Sequence, residues 1–386
     1  MRHCNTKQQA LEIQSFQSCG QLPQAWDDFI PANHFLNRNH LAVTEQAQLP
    51  HLSYVYVLIC RNGQPIAAAY FQLLRLQKEH LNEQALEPMQ RYAWRAFTNW
   101  VKPRLLVAGH LFRHDVESYY YSDKVSAFEA YQCYKDAIDT ILASTCAYAV
   151  LVKDVPQELV TYFSHYAPQY LMLRNDIMME MEIPSEWQTI SDYEKALKHK
   201  YAQRFRKIRQ SWNKVTVQEL NVAETEQHKQ IIFDLYKQVC EKQPARIGLL
   251  SVDYIPMLKK QHGDGYKVWL IKEGEAIIGF FSAWLRDDAF DMFYIGFDYN
   301  KNAELQLYFN ILFFGVEQAI LYRKPKVIFG RTALDAKARL GCKPRYQSTF
   351  AFVRNRWIRM ITLRIQNNSQ SQEGAWEQRH PMKENK

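Results

Sequence analysis

The sequence predicts an α/β (α+β) protein of two lobes, each a mixed, mostly antiparallel sheet flanked by helices. Three observations predict it. The chain has 386 residues, a length that suits two domains. Two stretches, 54–75 and 266–286, read as β-hairpins. After each hairpin the same order returns: helix 126–145 precedes the strand AYAVLVKD, and helix 304–322 precedes the strand KVIFGRT.

Taken in order, residues 1–50 mix helical and loop signals. LPQAWDDFIPANHFLNRNHLAVTEQAQ reads as short helices interrupted at Pro31, one carrying Trp26 and Phe29, the next Phe35, Leu36 and Leu41. SYVYVLIC and PIAAAYFQLLRL flank RNGQ, and Asn62-Gly63 is a strong hairpin turn because both residues accept positive φ. A polar helical stretch follows at 78–101, then the buried strand PRLLVAG. IMMEMEIP alternates apolar and acidic residues and is expected to close the first half. In the second half, Ser191 with Glu194 three residues on reads as a capping box. Its helix is expected to continue through KALKHKYAQRFRKIRQSW, with another at about 224–242. The second hairpin is YKVWLIK, EGE, AIIGFFSAWLR. DAFDMFYIGFDY is a strand, ELQLYFNILFFGVEQAILY a long helix, PKVIFGRT a strand, and ALDAKARL a short helix ended by Gly341. STFAFVRNRW is the last strand. The domains expected are 1–187, 188–364 carrying the site, and a polar, disordered tail at 365–386.

The net charge of +8 suits a phosphate-bearing partner, whether nucleotide, nucleic acid or anionic surface, or serves solubility alone. Seven scattered cysteines without C-x-x-C spacing argue against a zinc site and a disulfide framework. His110 and His114 stand four apart beside Asp115 with no third ligand in view, so no metal is expected. The N-terminus lacks an apolar signal region, and no apolar run approaches about 18 residues. With free thiols, this predicts a cytoplasmic protein without a transmembrane segment. No P-loop, dinucleotide fingerprint or Ser-His-Asp order appears.

The sharpest local signals are two. Lys198, Lys200, Arg204, Arg206, Lys207, Arg209 and Lys214 fall within seventeen residues that contain no acid. At about 100° per residue, Lys200, Arg204 and Lys207 share one helix face, and Tyr201, Phe205 and Ile208 form an apolar stripe. Such a helix either holds phosphates of coenzyme A, a tRNA or a lipid head group, or is a solvated face. The second is Gly330-Arg331-Thr332 at a strand end. Its glycine lets backbone approach a ligand, Arg331 offers a fork for carboxylate or phosphate, and Thr332 is placed to cap ALDAKARL.

GFDYNKN (296–302), Leu307-Tyr308 and FGRTALDAKARLGCKPR (329–345), with LPQAW…FL and KYAQRFRKIR, resemble the GNAT acyltransferase superfamily. Within it, they are most similar to the CelD/BcsL-like and Fem-ligase-related group, and the resemblance spans residues 20 to 360. It implies two GNAT-like lobes in tandem and N-acyl transfer from acyl-CoA, as co-substrate, to an amine-bearing small molecule or envelope precursor. GNAT enzymes hold the donor's pyrophosphate on a glycine-rich loop at the start of the central helix. Here that stretch is DYNKNAELQ, without glycine, so Asn300, Asn302 and Ala303 stand where backbone would meet phosphate. Fem-type ligases, which use aminoacyl-tRNA, depart from the loop in a comparable way.

The implied reaction, amine on thioester, needs a base, oxyanion donors and an acid for the thiolate. Asp291, Asp298 and Glu304 are the base candidates; Asp298 reads equally as a turn residue and Glu304 as a first-turn helix acid. Tyr294 and Tyr308 are proton donors or packing residues. Lys337 lies in the short helix where Fem-related proteins carry a site lysine. The alternative pairs Arg331 with Asp335 or a neighbouring acid and leaves Lys337 solvated. On the site reading, Arg331→Ala and Lys337→Ala remove activity and leave the fold intact. Three functions remain open: acyl-CoA-dependent N-acyl transfer, Fem-like transfer from aminoacyl-tRNA, and a non-catalytic GNAT-like binding module.

Overall fold

The structure is a computed structural model that describes residues 11–114, 116–173, 176–243, 246–356, 359 and 377–383. The chain forms two units, one of residues 1–174, 247–249 and 348–365, the other of 175–246, 250–347 and 366–386.

The first unit is built on β1 (Leu11–Phe16), β2 (Leu52–Arg61), β3 (Gln64–Arg75), β4 (Arg104–Ala108), β5 (Tyr119–Tyr121), β6 (Ala149–Val152), β7 (Leu171–Leu173) and the chain's last strand, β15 (Thr349–Val353). Its helices are α1 (Gln24–Phe29), α2 (Arg38–Gln46), α3 (Pro88–Ala96), α4 (Ala127–Thr145) and α5 (Gln157–Tyr166). The sheet order is β1-β2-β3-β4-β6-β15-β7, with β5 also on β3. Asn62 and Gly63, at φ 51° and 74°, close the β2/β3 hairpin as the sequence predicts. These strands read as unbroken apolar runs because both faces are covered. Val55, Val57, Ala69 and Phe71 pack under α4 and α5, while Tyr54, Tyr56, Ala68 and Tyr70 meet Trp26 of α1 and Leu41 of α2. Ser126 Oγ caps α4 by accepting from the Glu129 amide.

The second unit contains β8 (Ile177–Glu182), β9 (Thr216–Glu219), β10 (Tyr266–Glu273), β11 (Ala276–Leu285), β12 (Phe290–Phe297), β13 (Lys326–Gly330) and β14 (Lys343–Tyr346). Its helices are α6 (Ile190–Ala196), α7 (His199–Trp212), α8 (Val222–Gln227), α9 (Lys229–Glu241), α10 (Tyr254–His262), α11 (Tyr299–Leu305), α12 (Leu307–Leu321) and α13 (Leu334–Ala338). The sheet order is β14-β8-β13-β12-β11-β10-β9. One face packs on α7 and α12, where Trp269 stacks on Phe281 at 4.4 Å and Phe205 meets Phe313 edge-on at 4.8 Å. On the other face α9 lies directly on β12. A Cβ at Gly296 would stand 2.5 Å from the Leu235 carbonyl carbon and 2.5 Å from the Tyr236 nitrogen, so only glycine admits this approach.

Both sheets run antiparallel except at one place each. β4 pairs parallel with β6 after the excursion through α4, and β12 pairs parallel with β13 after α11 and α12. The second parallel pair holds only at Phe290↔Val327 and Asp291↔Ile328 and lapses toward the carboxyl ends of both strands.

Five sequence expectations are corrected. IMMEMEIP forms β8 but sits in the second sheet between β13 and β14, and STFAFVRNRW forms β15 in the first sheet between β6 and β7. The cap of α6 is Thr189 with Asp192, one turn-register earlier than Ser191 with Glu194. Its helix does not continue: Leu197 and Lys198 are extended, because Leu197 bridges Met382 and the Lys198 amide donates to the Pro381 carbonyl at 2.8 Å. Within the stretch expected to be a disordered tail, Glu377–Lys383 are therefore placed against α6 and α7, with Pro381 buried; 366–376 and 384–386 lie outside the described residues.

Candidate functional site

The basic run folds into α7, whose Ala202, Phe205, Ile208 and Trp212 are buried. That burial turns the remaining arc outward. Three of its cations find acids on other elements: Arg206 pairs with Glu194 at 2.9 Å, Arg209 with Glu317 at 2.9 Å and Lys214 with Glu304 at 2.9 Å. Lys200, Arg204 and Lys207, the residues that share one face, have no acidic partner among the described residues and line a pocket of about 830 Å³.

The opposite wall of that pocket is Ala303, Glu304 and Gln306, the turn that leads into the central helix α12, together with Arg339 and Arg379. Five cations thus face one carboxylate, and Glu304 is already engaged by Lys214. Arg204 lies over the Phe309 ring at 5.0 Å, and burial, then the Arg339 charge, lower its guanidinium. Each cation destabilises the others in the absence of an anion, so the pocket favours a polyanionic ligand.

Two backbone amides near the helix start are already engaged by side chains. Asp298 caps α11 by accepting from the Asn300 amide at 2.9 Å. Asn302 Oδ1 accepts from the Tyr308 amide at 3.0 Å, and Gln306, at φ 49°, separates α11 from α12. Asn302 therefore occupies a donor that a glycine-rich loop would leave for phosphate.

Of the candidate site residues read from the sequence, Ala303 and Glu304 join Lys200, Arg204 and Lys207 at the pocket, where Tyr201 and Ile208 of the apolar stripe also line it; the other candidates stand elsewhere. Lys214 lowers the Glu304 carboxyl and keeps it ionised. Asn300 is exposed on α11, with its amide already engaged by Asp298. Tyr308, partly buried beside Phe297 and Phe309, has its phenol raised by burial and then by Cys342. Asp291 is buried on β12, 3.9 Å from Arg286, and Tyr294 sits in an aromatic cluster with Tyr236 and Phe293.

The Gly330-Arg331-Thr332 segment differs from its expected roles. Gly330, at φ 80°, needs a glycine for backbone conformation. Arg331 pairs with Asp176 at 2.9 Å rather than with Asp335. Thr332 is exposed and does not cap; the cap of α13 is Ala333 in the left-handed region, with no side-chain bond. Lys337 is neither solvated nor at the pocket. It is 3% exposed and donates to the Gly330 carbonyl at 3.2 Å, and burial pushes its amine down to about 7.

Arg339, Arg379 and Gln306 were missed from sequence. Arg339 carried a faint signal as the last cation of ALDAKARL; Arg379, in a polar tail, carried none. His110 is buried, and its Nδ1 accepts from the Phe112 and Arg113 amides; among the described residues no group of His, Cys, Asp or Glu is arranged to hold a metal ion. No helix of the described residues is long and apolar enough to cross a membrane.

No known protein family matches the chain, and no curated protein matches it. Solved structures do. The crystal structure of FemX is similar with a TM-score of 0.51 at 10% identity, over 91% of this chain and 99% of that one. A tandem GNAT protein from the clavulanic acid biosynthesis pathway is similar with a TM-score of 0.50 at 8% identity, over 89% of this chain and 98% of that one. The likeness is one of architecture: this chain has the fold of GNAT acyltransferases, as two GNAT-like lobes in tandem.

Proposed function

We propose that the second unit is an N-acyltransferase site whose donor is an acyl-coenzyme A and whose acceptor is an amine. The observation that supports it is the set of cations without acidic partners, Lys200, Arg204, Lys207 and Arg339, gathered at the turn before the central helix. That is where a GNAT fold receives its donor's phosphates, and charge here takes the place of the glycine loop. In the reaction the acceptor nitrogen bonds to the acyl carbon, the carbon–sulfur bond breaks, and the nitrogen loses a proton while the thiolate gains one. Glu304, ionised beside Lys214, is the pocket's acceptor for the amine's N–H. Tyr308, two residues beyond Gln306 on α12 and outside the lining of the phosphate pocket, is the proton donor proposed for the thiolate, which leaves at the far end of the donor from its phosphates.

A second reading has its own support. The Tyr308 amide is consumed by Asn302, and the pocket's phosphate contacts are all long side chains. That suits a nucleic-acid backbone, and with it transfer from an aminoacyl-tRNA, as in the Fem-related group that the sequence strings resemble. Thermal unfolding against coenzyme A, acetyl- and longer acyl-coenzyme A and bulk tRNA separates the readings. A ligand at about 100 times its Kd adds roughly 2.7 kcal/mol. A rise with one acyl-coenzyme A, lost in Lys207→Ala, supports the first reading. A salt-sensitive rise with tRNA alone replaces it with the second. No rise with either rejects both and leaves a binding module.

A further inference from the structure

We infer that the C-terminal segment Glu377–Lys383 is a working wall of this pocket, and that Arg379 on it binds a ligand carrying at least two phosphate groups. The inference rests on the donor-pocket reading above.

The segment is fixed to the second unit at several points. The Lys198 amide donates to the Pro381 carbonyl at 2.8 Å, and the Lys383 amide to the Ala196 carbonyl at 2.8 Å. Leu197 and Met382 form an antiparallel bridge, and Lys383 Nζ donates to the Lys195 carbonyl at 2.6 Å. The Glu377 amide donates to Asp335 Oδ1 at 3.2 Å. Met382 packs where a Cβ on Gly341 would be, 2.7 Å from its Cε. These contacts deliver one charged side chain, Arg379, to the pocket lining. Its Nε is buried without a hydrogen-bond partner, and its guanidinium pairs with Glu377, an exposed carboxylate two residues away. A guanidinium with a buried, unbonded N–H at the edge of a cationic pocket is set to exchange a weak local partner for an anion.

The geometry also sets the size of that anion. Lys200 and Lys207 are seven residues apart on α7, about 10 Å along its axis. Arg339 and Arg379 add charge from α13's end and from the tail segment. Five cations face one carboxylate that Lys214 already engages, more positive charge than a single phosphate neutralises, so a ligand with two or more phosphates fits better.

The test is calorimetric titration of the full chain with inorganic pyrophosphate and with orthophosphate at one fixed low salt concentration. Pyrophosphate is expected to bind more tightly than orthophosphate. Arg379→Ala is expected to weaken pyrophosphate by about tenfold or more, as loss of a charge-assisted bond does, and Arg379→Lys by less. The Tm of the free protein should stay within about a degree, since the lost ion pair is exposed. Pyrophosphate should also slow trypsin cleavage after Arg379. If Lys207→Ala weakens pyrophosphate and Arg379→Ala does not, the pocket holds the anion and the segment has no part in it. Orthophosphate binding as tightly as pyrophosphate overturns the two-phosphate claim. Failure of the wild-type chain to bind pyrophosphate at all removes both this inference and the donor pocket.

Discussion

Lys337 makes the sharpest prediction about stability. Its amine is enclosed, bonded among the described residues only to the Gly330 carbonyl, and burial lowers it from 10.5 to about 7. In the unfolded chain the same amine stays protonated to about 10.4. Between these values the unfolded state binds more protons, so stability must rise with pH through that window. Integrating the linkage from about pH 7 to about pH 8.5 gives a gain on the order of 1.6 kcal/mol for this one group. Cys342, Tyr308 and Tyr193, all shifted upward by burial, work in the opposite sense, but only as pH approaches the thiol and phenol ranges. His40 and His110, both lowered by burial, act in the same sense as the lysine but mainly below about pH 7, so the rise above neutrality is chiefly the lysine's. The assay is urea unfolding of the wild-type chain and Lys337→Met at several pH values across it. The wild type should gain stability with rising pH, and the variant should lose that slope and be the more stable protein near pH 7. Parallel pH profiles would refute the reasoning and return Lys337 to solvent.

Gly296→Ala must push α9 off β12, and overpacking of this kind costs about 1–3 kcal/mol, read as a lowered Tm. Asp176→Ala strips the Arg331 guanidinium, whose side chain is 22% exposed, of its acidic partner. It should cost about 2 kcal/mol in urea unfolding, and Arg331→Ala should lower stability with little change in pyrophosphate affinity. Thr332→Ala should be neutral within about 0.5 kcal/mol, while Ser126→Ala, which removes a true cap, should cost about 1 kcal/mol; the pair compared by thermal melting tests the cap assignments.

Local signals in the sequence were reliable where local physics decides. The Asn62-Gly63 turn and the arc shared by Lys200, Arg204 and Lys207 each depend on residues within a turn or two of one another. Thr189 and Ser191 show the limit. Both head a four-residue capping pattern, and which one caps is set by where the helix must stop, which a contact with Met382 determines. Of the two readings open for Lys337, the solvated one fails, and the sequence carries a signal against it. It falls with Leu334 and Ala338 at i, i+3 and i+4, the arc of α13 that faces inward, and a lysine in an apolar stripe is a buried lysine. The sheet membership of β8 and β15 had no local signal at all, because both are ordinary apolar strands and only long-range pairing chooses their neighbours. Arg379 was illegible for the same reason: its segment is polar, and its docking rests on backbone carbonyls of Pro381 and Ala196 that any sequence supplies.

The place of β15 has a consequence for how this protein is made. β6 and β7 are synthesised before every strand of the second unit, yet the strand that lies between them comes only after those strands. Until then the nascent first sheet has a gap with two open edges, each a template for pairing with another chain. A fragment ending at residue 187 would keep that gap permanently and carry β8 without its neighbours. The chain therefore cannot be cut at its midpoint into two working copies of an ancestral lobe. Recombinant expression of the first half alone should yield aggregate, unless Thr349–Val353 is grafted back between β6 and β7.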